Sequence, residues 1–186
     1  MVYLTALWLP VVLSAVIVFI ASAIIHMALP FHKNDYAKLP GEDNLLEAMR
    51  KEGVGRGDYV FPCAGSHKAL QTPEMQEKCK RGPVGFMTVV PSGVPRMGKS
   101  LTIWFIYLLV MSFFVAYLTG RTLGAGSEYL AVFRVAGTVA FLGYAGAHAS
   151  GSIWLGRRWS TTIKSIVDGL VYGLLTAGTF GWLWPR

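Results

Sequence analysis

The chain has 186 residues, 53% of them hydrophobic, and carries 17 Lys and Arg against 10 Asp and Glu, a formal charge of +7. With a mean hydropathy of +0.46 it is too apolar for an ordinary soluble domain, whose polar surface must cover one core. The basic excess does not point to nucleic acid, because most of the Lys and Arg flank apolar runs, where they orient a membrane chain.

Four apolar runs define the layout. The first, Leu4 to about Ala28, contains no Asp, Glu, Lys or Arg. It lacks the basic leader and short apolar core of a cleaved signal peptide, so it is expected to persist as a span. Residues 101–118, 129–149 and 161–183 follow. Each is close to the roughly 20 residues that cross about 30 Å of hydrocarbon as a helix. The expected fold is an all-α integral membrane protein with four transmembrane helices. Residues 1–30 supply the first, residues 31–100 a folded but mostly irregular loop domain with two short helices, and residues 101–186 the other three.

Eleven of the 17 Lys and Arg lie in the 31–100 loop, and Arg157, Arg158 and Lys164 lie at the connection on its side. The opposite side has Arg121 and Arg186, with Arg134 just inside the third span. The positive-inside bias therefore puts the loop in the cytoplasm and both termini outside, in the periplasm of a bacterial inner membrane.

Within the loop, residues 42–52 place Leu45, Leu46 and Met49 on one helical face, with Gly53 at the C-cap position. Thr72 as N-cap and Pro73 at the first helical position start a second helix running to about Arg81. Residues 59–62 and 86–90 are short extended candidates. Gly93, Gly98, Lys99 and Ser100 match the phosphate-loop pattern G-x-x-x-x-G-K-[ST], but no strand-loop-helix unit of a parallel sheet surrounds them. They read as a turn and an interfacial anchor. Cys63, His67, Cys79 and His32 could supply soft and imidazole ligands to zinc, though their spacing has no second tight pair.

Ionisable residues inside spans are costly in hydrocarbon and mark function more often than surface charges do. His26 and His148 are expected at similar depth near the loop side, with Asp168 about seven residues, roughly 10 Å, into the fourth helix from the same face, and the three could form one cluster that binds a metal, ligates haem through two imidazoles or relays protons. The competing expectation is that Lys164, one helical turn before Asp168, neutralises it. Arg134 is expected to pair with Glu128 or interfacial water. The small residues Gly169 and Gly173, with Gly137, Gly143 and Gly146 on the third helix, predict close helix packing, within one chain or between copies.

The stretches Lys80-Arg81-Gly82-Pro83-Val84-Gly85-Phe86 and Asp168-Gly169-Leu170-Val171-Tyr172, with the ending from Thr176 to Pro185, resemble a family of small uncharacterised bacterial inner-membrane proteins with four predicted spans. The resemblance implies that membrane and no activity, cofactor or substrate. Nothing in the residues assembles a nucleophile and base, so the chain does not read as an enzyme. Two functional expectations remain foremost. One is a homo-oligomeric channel or transport-type protein; the other is an accessory or assembly subunit that docks another membrane protein through its loop. A membrane redox protein using His26 and His148 is a third.

Overall fold

Long apolar runs become helices because only a helix satisfies its own backbone where water is absent. Three helices are long and apolar enough to cross a membrane, Leu4–Ala28, Met97–Thr122 and Tyr129–Leu155. The structure is a computed structural model that describes residues 1–186, and 68% of them are helical.

In chain order, α1 is Trp8–Ala23, entered by a 3₁₀ turn at Leu4–Leu7 and left by a π-helical turn at Ile24–Ala28. The polar segment holds α2 (Glu42–Lys51), β1 (Gly57–Phe61), α3 (His67–Leu70), α4 (Pro73–Arg81) and β2 (Gly85–Val89). Then come α5 (Met97–Thr122), α6 (Tyr129–Ala145), α7 (His148–Leu155) and α8 (Trp159–Trp182). α5 starts earlier and ends later than the apolar run 101–118, because Gly98, Lys99 and Ser100 at one end and Gly120 and Arg121 at the other continue its backbone ladder. Hydropathy stops at polar residues, whereas helical hydrogen bonding does not.

The chain divides into two compact units, Met1–Tyr36 with Arg96–Arg186, and Ala37–Pro95. In the first unit α1 packs on α5, α5 on α6, α6 on α8 and α8 on α1. This closes an up-down four-helix ring. Leu108, Val115, Ala136, Ala140 and Phe180 are fully buried at its centre. Ser14 Oγ on α1 donates to Ser112 Oγ on α5 at 3.0 Å, and Ser152 on α7 shares a hydrogen bond of 2.6 Å with Thr162 in the first turn of α8. α8 is 24 residues long but, with Lys164, Asp168 and a run of Ser and Thr, less apolar than the other three. It is nevertheless buried along one whole face, from Thr161 to Phe180.

The small residues are used inside the chain. A Cβ on Gly169 would lie 2.8 Å from Ala145 Cβ, one on Gly173 would lie 3.2 Å from the Phe141 backbone nitrogen, and Gly137 faces Ala177 across the same crossing. The α6–α8 crossing therefore brings the two backbones together where side chains are missing. At one end of the bundle Val2 N donates to Gly120 O, in the last turns of α5, at 2.8 Å, and Trp184 Nε1 donates to Gly124 O, in the α5–α6 connection, at 2.9 Å.

In the second unit, α2 carries Leu45 and Leu46 on one face, and Gly53 follows with φ of 66°. The Thr72 hydroxyl accepts from Met75 N at 3.4 Å to cap α4. The two extended candidates pair as an antiparallel ribbon, from Gly57 opposite Val89 to Phe61 opposite Gly85. No residue of this unit is buried. The ribbon bears directly on the phosphate-loop pattern. β2 pairs with β1 alone, and Gly98, Lys99 and Ser100 fall in the first turn of α5, so Gly93 and these three do not close a loop at the edge of a parallel sheet.

Candidate functional site

The site is assembled where α1 ends. The backbone leaves the α-helix through the π-helical turn, in which Leu29 N donates to Ile24 O at 3.1 Å. Pro30 has no N–H to continue the ladder, so a 3₁₀ turn over Pro30–His32 takes the chain back toward α8. The extra residue in a π turn re-aims the side chains around it, which is why such turns recur at functional sites. Here it carries His26.

Segment 30–36 is fastened to the start of α8 by charge. Arg158 Nη2 donates to the carbonyls of Asn34 at 2.9 Å and Asp35 at 2.7 Å. Lys164 Nζ donates to Asp35 Oδ1 at 2.7 Å and stands 5.4 Å over the Phe31 ring. The other Asp35 oxygen lies 2.6 Å from His32 Nδ1. Hydrogen bonds from Lys164 and then His32 hold the Asp35 carboxyl below the usual carboxylate range.

His32 in turn reaches Asp168. Its Nε2 is 2.9 Å from Asp168 Oδ2, and His26 Nε2 is 3.8 Å from the same oxygen. The two imidazoles stack with centroids 4.3 Å apart. Asp168 is 6% exposed. His32 Nε2 is buried and makes no hydrogen bond, so the short approach to Asp168 brings a ring nitrogen and a carboxylate oxygen together without an aligned N–H to oxygen bond. The result is a chain of carboxylate, imidazole, carboxylate and imidazole: Asp35, His32, Asp168, His26.

This chain opens onto a cavity of about 630 Å³ whose wall includes His26, His148, Asp168, Trp104, Tyr107, Tyr144 and Tyr172. The aromatic rings pack on one another, Trp104 stacked on Tyr107 and Tyr144 edge-on to Tyr172. Trp104 is oriented by its Nε1 donating to Ser22 Oγ at 3.0 Å. The hydroxyls of Tyr144 and Tyr172 are buried without hydrogen bonds, although Ser112 and Thr176 lie beside Tyr144. A second cavity, about 390 Å³, is lined by residues 26–30 with His32 and Lys33. His26 lines both.

No family model, no curated protein and no solved structure matches this chain.

Of the residues singled out in the sequence, His26, His148 and Asp168 line one cavity, but the converging ligand set is His26, His32 and Asp168. Lys164 pairs with Asp35, and the expected Lys164–Asp168 neutralisation does not form. Two reasons are visible. Lys placed N-terminal to an acid at this spacing is the weaker orientation on a helix, and Asp35 already holds the Lys164 ammonium at 2.7 Å. Arg134 is exposed beside Phe133 and Leu174 and makes no ion pair with Glu128. The zinc set also fails to assemble. Cys63 is exposed, Cys79 is partly buried, both are free thiols, and the ligand atoms of Cys63, His67 and Cys79 do not converge. Cys63 lies beyond the end of β1, Cys79 sits in α4, and His32 belongs to the other unit. Sequence reasoning missed Asp35. The available signal was His32-x-x-Asp35 directly after a helix-ending proline.

Proposed function

We propose that the chain is a transport-type integral membrane protein of four spans that handles a cation at Asp168. The observation that carries this reading is a buried carboxylate on the least apolar of the four bundle helices, faced by two imidazoles and open to a cavity. A charge kept inside a bundle is costly, and residues retained at that cost commonly mark an ion or proton path. α8 counts as the fourth span because its buried face completes the ring, and the Lys and Arg of residues 31–100 support a cytoplasmic loop with both termini periplasmic. Beyond Tyr144 and Tyr172 the centre is filled by Leu108, Ala136, Ala140 and Phe180. A single bundle therefore gives access from one end only. Conduction then requires either a second conformation or assembly of several copies, which is the homo-oligomeric form of the proposal.

The test is cation flux into proteoliposomes that contain the purified protein and a pH-sensitive or metal-sensitive dye. Wild type is expected to conduct, and Asp168→Asn is expected to lower flux by about tenfold or more, a barrier change of about 1.4 kcal/mol. Equal flux in the two proteins would overturn the reading.

A second reading, an accessory subunit that docks a partner through residues 37–95, is favoured by one observation. That unit buries no residue while Leu45, Leu46, Tyr59, Phe86 and Val90 stay exposed, and apolar surface of this kind is normally covered. Gentle purification that returns the protein without a stoichiometric partner counts against it.

A further inference from the structure

The 2.6 Å contact between His32 Nδ1 and Asp35 Oδ2 has a consequence at the other ring nitrogen. A carboxylate only accepts, so Nδ1 must carry the proton. In the neutral ring Nε2 is then a bare lone pair, and it faces another acceptor, Asp168 Oδ2, at 2.9 Å. Two acceptors at that distance repel unless a positive charge lies between them. His26 Nε2 stands at the same point, and the three ligand atoms lie within 4.8 Å of one another.

From this geometry we infer that His26, His32 and Asp168 form a binding site for a divalent transition-metal ion. Two imidazole nitrogens and one carboxylate oxygen form a ligand set that suits zinc or iron(II) and disfavours magnesium and calcium, which want oxygen. Ligands about 2.0–2.1 Å from such an ion stand roughly 2.9 Å apart at a right angle and about 3.4 Å apart at a tetrahedral one. The His32 to Asp168 separation of 2.9 Å and the His26 to Asp168 separation of 3.8 Å bracket this range. The half-exposed His26 is the ligand free to close in. Asp35 supplies what metal-binding histidines regularly have, a carboxylate on the second ring nitrogen that sets the tautomer. It also stands between the ligands and the Lys164 ammonium, whose charge would otherwise oppose an ion. Three protein ligands leave coordination positions open, and His26 borders both cavities, so water or a small anion can complete the shell.

The site uses the same residues as the transport reading but does not depend on transport. It is tested with the full-length protein, purified in detergent through a tag without histidine and carrying Cys63→Ser and Cys79→Ser to remove thiol ligands. The probes are zinc and magnesium chloride, and bound metal is counted by equilibrium dialysis and elemental mass spectrometry. One zinc per chain and no retained magnesium is the expected result. His32→Ala, His26→Ala and Asp168→Asn each abolish stoichiometric zinc, Asp35→Asn weakens it about 10–100-fold, and His67→Ala, in the other unit, leaves it unchanged.

No stoichiometric zinc in the parent, or equal zinc in the parent and the His26→Ala variant, overturns the site. His26 is the informative ligand if Asp168→Asn fails to fold, because it lies outside the buried core. A proton is the alternative occupant. It would appear as no metal uptake together with a doubly protonated His32 ring in nitrogen-15 NMR. Zinc binding without flux leaves the metal site standing and defeats transport, whereas flux without zinc binding does the reverse.

Discussion

Gly169→Val is expected to separate α6 from α8 and to lower the stability of the bundle. A Cβ at this position would lie 2.8 Å from Ala145 Cβ and 3.1 Å from the Ala145 Cα and N. Backbone atoms cannot rotate away as a side chain can, so the helices must move apart. Overpacking of this kind costs about 1–3 kcal/mol, occasionally more. Gly173, one turn on, has the Phe141 backbone at 3.2–3.3 Å and reinforces the same crossing. Thermal denaturation in detergent, followed by tryptophan fluorescence, should show a lower midpoint for Gly169→Val. Gly178→Ala is the control. Its added methyl meets only the Tyr129 hydroxyl at 3.7 Å, an ordinary contact, and alanine favours a helix interior over glycine. Equal midpoints for Gly169→Val and wild type would mean that the bundle is not held by this crossing. Because Gly169 adjoins Asp168, the displaced helix should also weaken zinc retention.

Asp35→Ala is expected to release segment 30–36 from the start of α8. One carboxylate ties the Lys164 ammonium at 2.7 Å to the His32 ring at 2.6 Å, and hydrogen bonds to charged groups contribute about 1.5–3 kcal/mol each. With that carboxylate gone, amide hydrogen exchange over residues 31–36 should rise about tenfold or more, while exchange in the middle of α5 and α6 stays slow. Lys164→Met should raise it by part of that amount. The double variant should fall short of the sum, because both changes remove the same contact. The Arg158 bonds to the Asn34 and Asp35 carbonyls are untouched by either change and should keep the segment from detaching completely. Strictly additive effects would show that Asp35 and Lys164 do not act together.

The two short helices of the loop were legible from their own residues. Thr72 and Pro73 start α4, and Gly53, at φ of 66°, closes α2. Both signals are local, since a cap needs a side chain or a left-handed glycine within one turn. The ends of α5 were not legible from hydropathy, for Gly98 to Ser100 are polar yet helical. The candidate site was half legible. His26, His148 and Asp168 stand out as ionisable groups in apolar runs, and they do share a cavity. Lys164 was assigned the wrong partner because helix spacing ranks only neighbours on one helix. It cannot see Asp35, 129 positions away in the chain.

The sequence alone determines the long helices, since a run of some 20 apolar residues has one way to satisfy its backbone in hydrocarbon. It also determines that Gly169 and Gly173 mark a close crossing. Only the tertiary structure decided that this crossing lies within the chain, against Ala145 and Phe141. It alone decided too that His32, not Lys164, meets Asp168. The physical reason is the same in both cases. Which surfaces meet depends on where a connection leads the chain, and the π turn and Pro30 at the end of α1 send residues 30–36 back onto α8. No periodicity within either helix encodes that return.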